Sequence, residues 1–352
     1  MSLECYCCGN TALDKIVYQN PEFHGEIGAE IFNDRDLYHC PECKFSFSHP
    51  FMEDEKLSEF YIHFYRRRMR PLEIIKRHMD DQSLSLSPGH VSQVMLALFY
   101  GNFPNRFNVL DVGAGEGGTF DCLRALGFDP VCYAAESEVD YLKKIYQLKN
   151  IQYVPETSPY LDRKDDTFNE HFDFILSSHT LEHFNADHIG KVLLNVRKLL
   201  KPDGVFVCEV PKADFSGFVG KSKLNEGCHL SFFTKEALRN LFGRYGYQIL
   251  FIAEFGPAPR YFEETQDQAY CRLQATAHRA PKGLLKRSLS SVKNNIPFMN
   301  QAYEKLKKLK WNLKKIEPRR AVDVLKSPLF QSSKSGSLVR VCVRKESVTD
   351  VS

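Results

Sequence analysis

From residue 107 onward the apolar residues fall into short runs, with stretches of helical spacing between them. The runs 107–112, 131–135, 151–154, 172–177, 205–210 and 247–255 read as strands, and the intervals near 117–127, 138–148, 187–200 and 234–245 read as helices. Regular alternation of strand and helix builds a doubly wound parallel sheet covered on both faces. Ligands in such sheets bind beyond the carboxyl ends of the strands, so the residues that follow each run are the first places to look for chemistry.

Upstream, Leu57, Phe60, Tyr61, Phe64 and Tyr65 recur at helical spacing, as do Val91, Val94, Met95, Leu98 and Phe99. Both patterns predict amphipathic helices packed on the core. Arg66-Arg67-Arg68-Met69-Arg70 ends the first helix, where cations suit the carbonyl end; contact with an anionic substrate is the sharper reading. Far downstream, Ser337-Leu-Val-Arg-Val-Cys-Val-Arg344 alternates like a strand, and 347–352 reads as a frayed tail. Between these points Leu306, Leu309, Leu313 and Ile316 are interleaved with lysines, predicting a basic amphipathic helix over 303–316. Three readings compete for it: packing with a solvated lysine face, peripheral contact with an anionic membrane, or contact with nucleic acid.

Length and charge narrow these options. A chain of 352 residues exceeds one ordinary domain, and a net charge of +3 with 43% hydrophobic residues excludes wholesale disorder and a strongly nucleic-acid-like character. Met1 to Asn10 is polar and cysteine-rich, unlike a signal peptide, and no window approaches the roughly 18 apolar residues that span a bilayer. The expectation is a cytoplasmic protein, with the inner face of a membrane as a possible place of attachment. The predicted division is 1–50 metal-binding ribbon, 51–105 linking helices, 106–259 core, 260–335 basic helical insertion, 336–346 final core strand and 347–352 tail.

In a reducing compartment, eleven cysteines are better read as thiols and metal ligands than as disulfides. Cys5 with Cys8, and Cys40 with Cys43, form two Cys-x-x-Cys pairs whose tight turns point four thiolates at one tetrahedral ion. Zinc fits this set, and iron shares the spacing. Cys7 is left out as a spare. Four sulfurs leave no open position, so the metal holds structure together.

The first core strand runs into Leu110-Asp-Val-Gly-Ala-Gly-Glu-Gly-Gly118. Gly113 and Gly115 let the backbone turn tightly and approach a ligand, while Glu136, at the end of the second strand, suits the two hydroxyls of a ribose. Gly113, Gly115 and Gly118 also satisfy the dinucleotide fingerprint, which would suit a nicotinamide enzyme. Asp111 and Glu116 favour a cationic ligand over a pyrophosphate. The candidate cofactor set is Asp111, Gly113, Ala114, Gly115, Glu116, Glu136, Ser137, Ser178 and His179. Glu156 or Thr157, after the third strand, would lie near an adenine by position.

The Asp-x-Gly-x-Gly-x-Gly string resembles the first motif of class I S-adenosylmethionine-dependent methyltransferases. Ser177-Ser-His-Thr-Leu-Glu-His183 resembles the Leu-Glu-His segment of that family, and Leu199-Leu-Lys-Pro-Asp-Gly204 resembles its Leu-Lys-Pro-Gly-Gly turn, with Asp203 in place of one glycine. The resemblance covers 107–255. It implies an α/β Rossmann-like fold with a seven-stranded, mostly parallel sheet whose last strand is antiparallel beside the sixth. The cofactor it implies is S-adenosylmethionine.

Cys40-Pro-Glu-Cys-Lys-Phe-Ser-Phe, the Phe–Tyr helix and His229-Leu-Ser-Phe-Phe-Thr are similar to zinc-ribbon methyltransferases among saccharide-modifying enzymes. This implies a small-molecule or lipid-linked saccharide as acceptor. Cys228 stands where the sugar C-methyltransferases carry Glu, which puts O-methylation ahead of C-methylation. A hydroxyl acceptor needs a base, and His179, His183 and His229 all follow strand ends. His229, in a polar stretch after the fifth strand, is the preferred base, with Glu182 and His183 orienting the loop. Each histidine has a plainer reading as a partner of a backbone carbonyl. The alternative functions are an RNA methyltransferase gripping phosphates through the ribbon and the basic insertion, and a silent scaffold that keeps the fold.

Overall fold

The computed structural model describes residues 3–19, 35–65, 88–136, 140–154, 161, 166–224, 228–255 and 337–346. Strands β1 (Asp14–Gln19), β2 (Asp36–His39) and β3 (Ser46–His49) open the chain. Helix α1 (Asp54–Glu59) continues into a wider π turn over Phe60–Tyr65, and α2 (Pro88–Tyr100) leads to the core. There follow β4 (Asn108–Val112), α3 (Gly118–Ala125), β5 (Val131–Ala135), α4 (Asp140–Leu148), β6 (Gln152–Tyr153), β7 (Phe172–Ser178), α5 (Ala186–Leu199) and β8 (Leu200–Pro211). Short strands β9 (Ser222–Leu224) and β10 (Ser231–Phe232) precede α6 (Lys235–Arg244), β11 (Tyr247–Phe255) and β12 (Leu338–Lys345).

The main sheet has seven strands in the order β11-β12-β8-β7-β4-β5-β6. β6, β5, β4, β7 and β8 run parallel, whereas β12 is antiparallel to both β8 and β11. This is the expected mixed sheet. The predicted strand runs fall on it, and the central ones, β4, β5, β7 and most of β8, are largely buried.

Side chains alternate between two cores, as the period of two demands. Leu110, Val112, Ile175, Phe206, Cys208, Val339 and Val341 point to one face, packing against Ile189, Val192 and Val196 of α5 and Leu238 and Phe242 of α6. Val109, Phe174, Leu176, Val205, Val207 and Cys342 point to the other, against Val94 and Ala97 of α2, Phe120 and Leu123 of α3 and Ile145 of α4. Fully burying each such side chain stabilises the fold by about 1.5–3 kcal/mol.

Three local expectations change. Lys201 to Gly204 do not form a turn ahead of the strand: β8 already begins at Leu200, paired with Phe172, and the next pair is Phe174 with Val205. The Lys-Pro-Asp-Gly segment is therefore a bulge within β8, with Asp203 exposed. The terminal strand alternates in sequence yet is buried along 338–343, because neighbours on both sides and both faces cover it. The third core strand shortens to two residues.

The N-terminal ribbon is completed by the core. β1, β2 and β3 form an antiparallel meander, to which β10 adds antiparallel along β3 and β9 adds parallel along β1. The ring of Phe45 sits 5.2 Å from that of Phe233, and Phe45, Phe47 and the buried cysteines join the same apolar core as α5 and α6. Thr234 ties the two parts together. Its hydroxyl donates to the Cys43 carbonyl at 2.8 Å and accepts from the Ala237 amide at 3.1 Å, capping α6.

Candidate active site and metal centre

At the carboxyl end of β4 the chain turns through Gly113, whose φ of 78° few side chains adopt. A Cβ there would meet Thr180 Oγ1 at 2.1 Å, so glycine lets the loop after β7 close over the loop after β4. Thr180 donates in turn to the Val112 carbonyl at 3.0 Å. Gly115 has nothing within 4 Å of its missing Cβ, which leaves its outer side open to a ligand. The loop is held from behind: the Gly115 amide donates to Glu136 Oε2 at 2.9 Å, Tyr146 Oη donates to the Gly115 carbonyl at 2.8 Å, and Tyr153 Oη to the Glu136 carbonyl at 2.8 Å. Ala114 is buried and Glu116 half-buried in the same loop.

Asp111 lies beneath the loop with 3% exposure. Burial pushes its carboxyl up to about 7, opposed by the Thr119 hydroxyl and assisted by the charge of Glu136. Its place beneath the loop fits the expected part of Asp111 in orienting the glycine loop. Ser178 accepts from Gln93 Nε2 at 2.8 Å, and His179 follows with a φ of 54°, its amide donating to the Glu209 carbonyl at 2.9 Å. Ser137, Glu156 and Thr157 lie outside the described residues, as do Arg66 to Arg70 and the basic helix expected over 303–316.

The three candidate histidines converge on one carboxylate. Glu182, in the short turn Leu181–His183, is 1% exposed, and its Oε1 lies 3.6 Å from His179 Nδ1 and 3.9 Å from His183 Nε2. Burial raises the Glu182 pKa, but His179, His183 and His229 together hold it down at about 2. The same carboxylate keeps His179 above the usual histidine value against the opposing effect of burial, while burial lowers His229. His183 and His229 are stacked edge to face at 5.0 Å, and Tyr61 Oη lies 2.6 Å from His183 Nδ1.

Backbone contacts fix this arrangement. The Leu230 amide donates to the Glu182 carbonyl at 2.9 Å and Ser231 Oγ to the Phe184 carbonyl at 2.9 Å, so residues 228–231 are zipped to the turn at 181–184. Asn185 clasps both backbone groups of Met52, at 2.7 and 3.1 Å, and thereby places the helix that carries Tyr61. His183 Nδ1 also lies 3.3 Å from the Cys228 carbonyl, the kind of backbone contact the plainer reading expects.

Sequence reasoning missed four residues here. Tyr61 was counted as one aromatic in an apolar stripe. Gln93 interrupts such a stripe, and Glu209 and Arg340 interrupt two apolar strands; a buried polar residue needs a partner, and that interruption is the signal that was present.

At the ribbon, Cys5 and Cys43 sulfurs are 3.4 Å apart, Cys8 and Cys40 are 3.5 Å apart, and all four lie within 4.8 Å of one another. A tetrahedral ion with bonds of about 2.3 Å places its sulfurs about 3.8 Å apart, so the set fits zinc. Two tight turns present them, with Gly9 N donating to the Cys5 carbonyl at 2.7 Å and Lys44 N to the Cys40 carbonyl at 3.0 Å. Cys5, Cys40 and Cys43 are at most 1% exposed, as expected of a closed structural site. Cys7 is equally buried but falls outside the four.

Among the described residues no helix is long and apolar enough to cross a membrane. A search of curated proteins returns no match. Similar solved structures include an S-adenosylmethionine-dependent methyltransferase from Thermotoga maritima, at 12% identity over 82% of this chain and 100% of that one, with a TM-score of 0.42. Others are the Burkholderia thailandensis 1,6-didemethyltoxoflavin-N1-methyltransferase, at 17% identity over 63% and 88% with a TM-score of 0.40, and the YcgJ protein of Bacillus subtilis, at 14% over 73% and 99% with 0.40. The family model described as a methyltransferase domain matches residues 62–251, more than half of the chain. Joined to the mixed seven-stranded sheet and the glycine loop at the end of β4, that match makes the chain a member of the methyltransferase domain family, a class I S-adenosylmethionine-dependent methyltransferase.

Proposed function

We propose that the enzyme methylates a hydroxyl group of a saccharide, presented as a nucleotide-linked or lipid-linked sugar. The observation that carries this reading is the Glu182-centred group of His179, His183 and His229, with Tyr61 at its edge, beside the two loops that meet at Gly113 and Thr180. A hydroxyl acceptor must lose a proton, and this histidine cluster follows the end of β7, where an acceptor would meet the methyl group.

S-Adenosylmethionine supplies a methyl carbon already activated by its sulfonium. On the protein side, Glu136 would hold the ribose hydroxyls, and the open side of Gly115 would leave room for the cofactor against the backbone. His179 takes the acceptor proton. Its side chain is 44% exposed, the most accessible of the three, and Glu182 offsets the charge that it gains. His183, His229 and Tyr61 line the acceptor side and align the hydroxyl with the methyl carbon. The preference for His229 as base thus passes to His179, because burial lowers the basicity of His229 while Glu182 raises that of His179.

The test is incubation of the full chain with isotopically labelled S-adenosylmethionine and a panel of nucleotide sugars, lipid-linked sugars and RNA, followed by mass spectrometry. An O-methylated sugar supports the proposal. Methylated RNA, with binding that weakens steeply with salt, would replace it by the nucleic-acid reading.

A further inference from the structure

We propose that His183, Cys228 and His229 form a second metal site, distinct from the four-cysteine ribbon. It takes a divalent, borderline-soft cation such as Zn2+ and turns its open position towards an oxygen of the methyl acceptor.

The ligating atoms of these three residues lie within 4.8 Å of one another. Two imidazoles and one thiolate are a donor set that suits zinc, and three protein ligands leave one position open, as in catalytic rather than structural sites. The ribbon offers the contrast, with four sulfurs and a closed shell. The ligands come from two segments already fastened together: the turn that ends at His183 and the residues that enter β10, joined through the Leu230 amide and the Glu182 carbonyl. The site is therefore built by the fold before any ion arrives. Cys228 is 7% exposed and the His183 side chain 15%, so competing water has little access. Tyr61 Oη, 2.6 Å from His183 Nδ1, is an outer partner that orients the imidazole, the role that hydroxyls and carboxylates play around histidine ligands.

A second observation points to the same ion. Glu182 is 1% exposed, and both of its carboxylate oxygens lack a hydrogen-bond partner among the described residues. A buried carboxylate left in that state is costly, and its Oε1 is 3.9 Å from His183 Nε2. A dication held by His183 would add positive charge beside this carboxylate, whose nearest cationic group, His179 Nδ1, stands 3.6 Å away.

The role of the ion rests on the methyltransferase reading; its presence does not. An acceptor hydroxyl at the open position gives its proton to His179, and its oxygen pair forms the new C–O bond. The C–S bond breaks as this happens, its electron pair remaining on the sulfur of S-adenosylhomocysteine.

The test is metal analysis of the full chain, purified without chelator and equilibrated with zinc, by plasma mass spectrometry. The expected content is about two zinc ions per chain, falling to about one in Cys228→Ser and, separately, in His229→Asn. Cobalt replacement gives a readout that does not depend on activity. The wild type should show the charge-transfer absorption of four thiolates plus one, and Cys228→Ser should lose the smaller component. One ion per chain in the wild type with a four-thiolate spectrum alone, or unchanged content in both variants, would overturn the proposal. S-Adenosylhomocysteine binding is measured on the same samples: its loss in the wild type counts against the methyltransferase reading, whereas retention with a single metal counts against this site alone.

Discussion

Arg340 of β12 and Glu209 of β8 face one another as direct partners across the antiparallel pair, both at most 2% exposed, with Arg340 Nε donating to Glu209 Oε2 at 2.6 Å. The guanidinium also lies 4.4 Å over the ring of Phe255. The second carboxylate oxygen of Glu209 accepts from Gln93 Nε2 at 2.7 Å, and the same nitrogen donates to Ser178 at 2.8 Å. A buried polar chain thus runs from the last strand, through the helix above the sheet, to the loop that carries His179.

Removing one end of that chain strands the other. Arg340→Met should leave the buried Glu209 without its guanidinium and lower stability by about 3 kcal/mol, read from the urea midpoint. Adding Glu209→Gln should restore much of the loss, since a neutral amide pays a smaller desolvation penalty. Equal midpoints for wild type and Arg340→Met would show that the pair carries no such weight.

Gly113→Ala puts a methyl group 2.1 Å from Thr180 Oγ1 at a φ of 78°. The two loops can then no longer close on each other, and affinity for S-adenosylhomocysteine should fall tenfold or more, equivalent to about 1.4 kcal/mol or more. Thr180→Ala in the same chain should recover part of it by removing the hydroxyl. Calorimetry on the two variants decides the matter.

Because β9 and β10 complete the ribbon sheet, loss of the ribbon metal should not be local. Cys43→Ser is expected to lower the melting temperature of the whole chain in one transition, with zinc content falling in parallel. A separate early transition, with the main melt untouched, would mean that the ribbon folds by itself.

The pattern of these elements explains what could be read in advance. Runs such as Phe172–Ser178 declare themselves because continuous apolar residues have no other stable place, and the Cys-x-x-Cys pairs because their turns fix where the thiols point. β9 and β10 are two to three residues long, too short for any periodicity, and exist because β1 and β3 present open edges to them. Tyr61 and Gln93 looked like members of apolar stripes; what they touch is set by segments more than eighty residues away, which local spacing does not encode. The histidines are legible as strand-end residues, but their common partner Glu182 is set by the long-range contact of Leu230, just before β10, with the turn at 181–183.

The pH dependence follows from Glu182. With burial outweighed by the neighbouring carboxylates, the His179 pKa lies above its ordinary 6.5. A base must be neutral, so kcat should be low at pH 6 and rise through that higher value towards pH 8. His179→Asn should cut kcat by about 100-fold or more and flatten the rise. An unchanged profile in the variant would assign the base to another residue.

The loop braced by Glu136 is where this fold is expected to bind S-adenosylmethionine. Calorimetric titration with S-adenosylhomocysteine, alongside NAD and a Glu136→Ala control, tests this most directly. Micromolar binding of S-adenosylhomocysteine is expected, with none of NAD and at least a tenfold loss in Glu136→Ala as the ribose hydroxyls lose their acceptor. No binding by the wild type, or a preference for NAD, would contradict it.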